Sequence, residues 1–99
     1  MYVNRRTFVL KPQYGIDAVR ELIRLTLPAT RAVYAGPLRQ YWSQFGPWNL
    51  YAIESEFETL ADYERLVPEV FARFPPEYWE KFAEVTDQGG SNEVWMLIE

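Results

Sequence analysis

Residues 38–57 read LRQYWSQFGPWNLYAIESEF, and this stretch decides the fold. Two strand-like runs, Leu38 to Gln44 and Leu50 to Phe57, flank Phe45-Gly46-Pro47-Trp48-Asn49. Gly and Pro supply the backbone angles of a reversal, so the stretch reads as a β-hairpin. Successive side chains on a strand point to opposite faces. Tyr51, Ile53, Ser55 and Phe57 therefore share one face, and Leu50, Ala52, Glu54 and Glu56 the other. The first set is the more apolar, so it is expected against the helices.

Reading outward toward the N-terminus, Tyr2 to Leu10 is a further strand, stopped by Pro12. From Asp17, the apolar residues Ala18, Val19, Leu22, Ile23 and Leu25 recur at helical spacing, with Asp17 as the expected N-cap. Pro28 is expected to end this helix or to start a second turn of it. Toward the C-terminus, Thr59 with Asp62 opens a helix whose stripe is Leu60, Tyr63, Leu66, Val67, Val70 and Phe71. Pro68 is expected to kink it. Pro76 precedes a short helix over Glu77 to Val85; Gly89-Gly90 breaks the chain, and Glu93 to Ile98 is the last strand. The order β-α-β-β-α-β predicts an α+β, ferredoxin-like single domain over residues 1–99. Its four-stranded antiparallel sheet carries the helices on one face.

Composition removes whole classes of chemistry. The 99 residues contain no Cys and no His. That excludes disulfides, thiolate nucleophiles, Cys/His zinc sites and Ser-His-Asp or Cys-His machinery. Asp62, Glu64 and Glu69 lie along one helix without the spacing of a compact oxygen cage, so no metal is expected. Up to Ile53 the chain is basic; beyond it the chain is acidic, and the net charge is −4. The two halves are expected to neutralise each other, which argues against a nucleic-acid partner. Neither a secretory h-region nor an apolar run of membrane-spanning length is present, so a cytoplasmic location and no membrane partner are expected.

Neither face of the expected sheet is cleanly polar, and helices on one side leave the other uncovered. A second copy packed sheet on sheet is the economical cover, so a homodimer is expected.

Several short runs then resemble the NIPSNAP-like branch of the dimeric α/β-barrel superfamily. Arg6-Thr7-Phe8 followed by Leu10-Lys11-Pro12 is similar to its opening strand, and Leu27-Pro28 to its helix end. Gly46-Pro47 with Asn49 resembles its hairpin, and Leu60-Ala61-Asp62 with Glu64-Arg65 the start of its second helix. Where that family often carries a His and a Trp on the third strand, this chain has Ile53 and Ser55. The resemblance implies a dimeric α/β barrel that binds a hydrophobic, cyclic or aromatic metabolite. It implies cofactor-free oxygenation, isomerisation or cyclisation as the reaction class, or a non-catalytic binding protein on the same scaffold. The residues expected to carry a reaction are Glu54 and Glu56, on the barrel side away from the helices, to move a proton, and Arg6, expected to share their face, to hold an anionic or carbonyl oxygen. A structural ion-pair cluster is the other reading of the same charges. Phe8, Tyr41 and Trp42 are expected to shape the pocket, with core or dimer packing as the alternative for the aromatics.

Overall fold

The computed structural model describes residues 1–99 and has the element types and order that the sequence predicts, the short third helix included. The elements are β1 (Tyr2–Val9), α1 (Ile16–Val33), β2 (Leu38–Trp42), β3 (Leu50–Phe57), α2 (Leu60–Ala72), α3 (Pro76–Val85) and β4 (Ser91–Met96). The sheet order is β2-β3-β1-β4, antiparallel throughout, so β2 and β4 are the edges. No helix is long and apolar enough to cross a membrane.

Several boundaries differ from expectation for identifiable reasons. β1 ends at Val9, and Leu10 makes only an isolated bridge to Thr86. β2 ends at Trp42; Ser43 beyond it still donates its N–H to the Leu50 carbonyl at 2.9 Å, and its hydroxyl donates to the Pro47 carbonyl at 2.6 Å within the turn. β4 starts and stops two residues early. Its polar Ser91 and Asn92 pair with Thr7 and Arg6, while Leu97 and Ile98 lie beyond the strand. Gly15, not Asp17, is the N-cap of α1; Asp17 sits in the first turn and pairs with Arg20 at 3.3 Å. Thr59 does cap α2, its hydroxyl accepting from the Asp62 N–H at 3.0 Å. Both α1 and α2 run through their prolines. Each proline leaves one carbonyl four residues back without a donor, and those residues, Arg24 and Glu64, are exposed to water.

All three helices pack on the sheet face that carries Phe8, Tyr51 and Ile53. The core lies at one end of this layer, where Leu10, Leu22 and Val85 are fully buried among Val19, Leu25, Tyr51 and Tyr78. No residue of α2 is fully buried.

The hairpin and its flanks are held by two side chains that mend the backbone. Asn49 adopts φ 51°, a conformation Asn tolerates, and its amide donates to the Lys11 and Tyr14 carbonyls at 3.1 Å each. Pro37 lies one step beyond the Leu38–Ser55 pair and has no N–H to offer β3. The buried Tyr34 hydroxyl fills the gap: it accepts from the Glu56 N–H at 2.9 Å, and its proton lies within reach of the Glu56 carbonyl at 2.9 Å and the Pro37 carbonyl at 2.5 Å. Gly36 is required beside it, since a Cβ there would lie 2.6 Å from that hydroxyl. Tyr34→Phe strands these groups in a dry site, so urea denaturation should show a loss of about 1–3 kcal/mol. A loss below a few tenths would mean that water replaces the hydroxyl.

The opposite sheet face is open. Across its middle runs a row of alternating charge, Arg39, Glu54, Arg5 and Glu93, set by the strand register. Arg5 meets Glu54 at 3.7 Å, Arg39 meets Glu56 at 3.1 Å, and the Trp95 indole donates to Glu93 at 3.0 Å. Apolar side chains flank the row: Tyr41 and Leu50 on one side, Val3 and Trp95 on the other.

Candidate functional site

α2 bridges the part of the layer that the core does not fill. Its Leu66, Val67, Val70 and Phe71 recur at helical spacing and face inward, yet they are only half-buried because a void lies beneath them. The void is about 240 Å³. Its floor is the sheet, through Arg6, Phe8, Tyr51 and Ile53; α1 contributes Leu22 and Thr26, and α3 contributes Tyr78 and Phe82. Large rings hold the walls apart. Phe74 and Tyr78 lie 4.8 Å apart between centroids, Tyr78 and Phe82 5.7 Å, and Phe8 meets Phe82 edge to face at 5.4 Å.

Arg6 is the only charged side chain in this lining. Its Nε donates to Asn4 Oδ1 at 3.2 Å, and its guanidinium lies 4.5 Å from the centre of the Phe71 ring. Asn4 is buried and fixed in turn, its amide donating to Asn92 Oδ1 at 2.7 Å and to the Glu93 carbonyl at 2.9 Å. The Tyr51 hydroxyl donates to Gln40 Oε1.

Burial pushes the Tyr51 phenol well above its ordinary range, with Tyr78 adding to the effect. Burial also pushes Tyr78 up to about 12, against the opposing pull of the Arg6 charge. A folded-state value above the unfolded 10.0 makes the neutral phenol stabilising below that pH, and the contribution disappears as pH rises through the folded value. Denaturation midpoints should therefore fall between pH 10 and about 12. Tyr78→Phe should lessen that fall; an unchanged slope would place the effect elsewhere.

The expected site residues separate into two groups. Arg6 and Phe8 line the cavity. Glu54 and Glu56 do not join them: Arg6 lies opposite Ile53 in the β1–β3 register, while Glu54 lies opposite Arg5, and paired residues share a face. The two glutamates project from the open face, paired with Arg5 and Arg39. The ion-pair reading describes them, and Arg6, Glu54 and Glu56 form no single constellation. Tyr41 is also on the open face and is 42% exposed, whereas Trp42 turns inward and packs on the core beside the cavity without lining it. Sequence reading did not single out Asn4 and Gln40, the polar groups that orient Arg6 and Tyr51. Their alternation with Phe8 and Trp42 along β1 and β2 was the available signal.

No family model and no curated protein matches the sequence. Solved structures do. A NIPSNAP family protein of unknown function from Agrobacterium tumefaciens superposes with a TM-score of 0.78 at 18% identity, over 96% of this chain and 86% of that one. An uncharacterised NIPSNAP-like domain protein from Burkholderia xenovorans gives 0.76 at 21% identity, over 98% and 84%. A putative antibiotic biosynthesis monooxygenase from Nitrosomonas europaea gives 0.70 at 12% identity, over the whole of both chains. The chain thus has the ferredoxin-like fold of the NIPSNAP proteins.

Proposed function

We propose that this chain is a homodimeric α/β-barrel protein that holds a small hydrophobic, cyclic or aromatic molecule between its sheet and α2. The observation that carries this reading is the cavity of about 240 Å³, lined by apolar and aromatic side chains around one cation. An apolar void of about 150 Å³ accepts benzene, so this one suits one or two rings. A protein that needed only to fold gains by closing such a void, since empty volume forfeits packing energy.

Val70→Trp fills the space from α2 and provides the test. Calorimetric titration with 2-naphthol should show binding to the wild-type protein and none to the variant. Equal binding to both would place the ligand elsewhere and overturn the reading.

The homodimer is supported by the open face. Tyr41 and Trp95 are exposed there, and the charge row has both signs, so a two-fold axis can set Arg5 or Arg39 against a partner glutamate. Sedimentation equilibrium should give twice the 11.7 kDa chain mass at micromolar concentration. A single-chain mass would remove the dimer from the account.

One observation favours a second, catalytic reading: the end-to-end likeness to a protein described as a putative antibiotic biosynthesis monooxygenase. Cofactor-free turnover would rest on Arg6 stabilising an enolate oxygen of the bound molecule. The lining offers no carboxylate, Lys or His as a base, which favours binding over turnover. Oxygen consumption in the presence of an enolisable two-ring substrate distinguishes the two.

A further inference from the structure

We propose that the occupant of the cavity is an aromatic acid whose carboxylate pairs with the outer edge of the Arg6 guanidinium. The inference rests on the binding reading above and adds the charge and orientation of the ligand.

Three observations converge on it. Arg6 is the only arginine of the chain that is not exposed. Of the seven exposed arginines, Arg5, Arg20, Arg24, Arg39 and Arg65 pair with a carboxylate, and Arg31 and Arg73 have water around them instead. The sheltered Arg6 has only the neutral Asn4 oxygen and the Phe71 ring. A cation partly withdrawn from water is stabilised by an anion, and the cavity lining supplies none.

The second observation is geometry. Asn4 occupies Nε and is itself held by two hydrogen bonds, so the guanidinium plane is fixed and its two Nη groups remain. Two parallel N–H groups match the two oxygens of a carboxylate, a bidentate fit that a single carbonyl oxygen cannot make. The third is the wall opposite. Phe8, Phe71, Tyr78 and Phe82 give ring surfaces on which a planar molecule can stack or stand edge-on. An aromatic acid uses all three features together.

Isosteric probes test charge separately from shape. Calorimetric titration at pH 7 compares 2-naphthoate with 2-naphthamide, on wild-type protein and on Arg6→Gln. Naphthoate should bind wild type at least about tenfold more tightly, as a charge-assisted bidentate pair allows. Arg6→Gln should bring the ratio near one, with the larger loss falling on the naphthoate. Arg6→Lys, which keeps the charge and loses the fork, should leave an intermediate ratio. Equal binding of both probes to wild type would overturn the acid assignment and leave the cavity reading standing. Binding of neither would remove both. Should Arg6→Gln fail to fold, the wild-type ratio alone decides.

Discussion

Leu22→Ala should lower the unfolding free energy by about 3–5 kcal/mol, the upper part of the range for a buried leucine. Leu22 is 2% exposed and stands at the boundary between core and void, touching both. Removing its side chain joins new empty space to a cavity that rigid aromatic walls already hold open, so collapse can recover little of the lost contact. Small domains have only about 5–15 kcal/mol in total, so the variant should be near the limit of folding. Leu27, one and a half turns further along α1, is 38% exposed, and Leu27→Ala should cost under about 1 kcal/mol. Urea denaturation of the pair measures the contrast. A Leu22→Ala loss under about 2 kcal/mol would mean that α1 moves to fill the gap and that the void is plastic.

Gly90→Ala should be as damaging for a different reason. Gly90 has φ +92°, and a Cβ there would sit 2.2 Å from the Thr7 carbonyl oxygen. Backbone cannot yield as a flexible side chain can, so β4 must leave the edge of β1 or Thr7 must shift. Strain at positive φ adds about 1–3 kcal/mol to that. Its neighbour provides the control. Gly89 has φ +111°, but a Cβ there would meet only a Val9 methyl at an ordinary 3.4 Å. Gly89→Ala should therefore bear the strain without the clash. Hydrogen exchange over residues 91–96 reads the difference: Gly90→Ala should deprotect β4, and Gly89→Ala should leave it paired.

Much of this fold is legible in the sequence because local chemistry and global packing agree. Gly46-Pro47 marks the hairpin, Thr59 caps α2, and the alternation through Tyr51, Ile53 and Phe57 identifies the face that meets the helices. Three things were not legible. Periodicity cannot show whether a carbonyl freed by proline faces water, so Pro28 and Pro68 read as interruptions in helices that continue through them. Register between strands is a pairwise property, so nothing within β1 or β3 alone sets Arg6 opposite Ile53 and away from Glu54. The void has no pattern of its own: Leu66, Val67, Val70 and Phe71 form the same apolar stripe whether they cover packed atoms or empty space. Arg6 and Phe8 thus line the cavity, while Glu54 and Glu56, expected to act with Arg6, lie on the other face.

The most direct measurement on the central claim requires no knowledge of the ligand. A crystal of the ligand-free protein under xenon pressure should show the gas beneath α2, between Val70 and the Phe8 and Phe82 rings, since rigid apolar voids take up xenon. Diffraction with no xenon there, and Leu66 and Val67 closed down on the sheet, would contradict a preformed site.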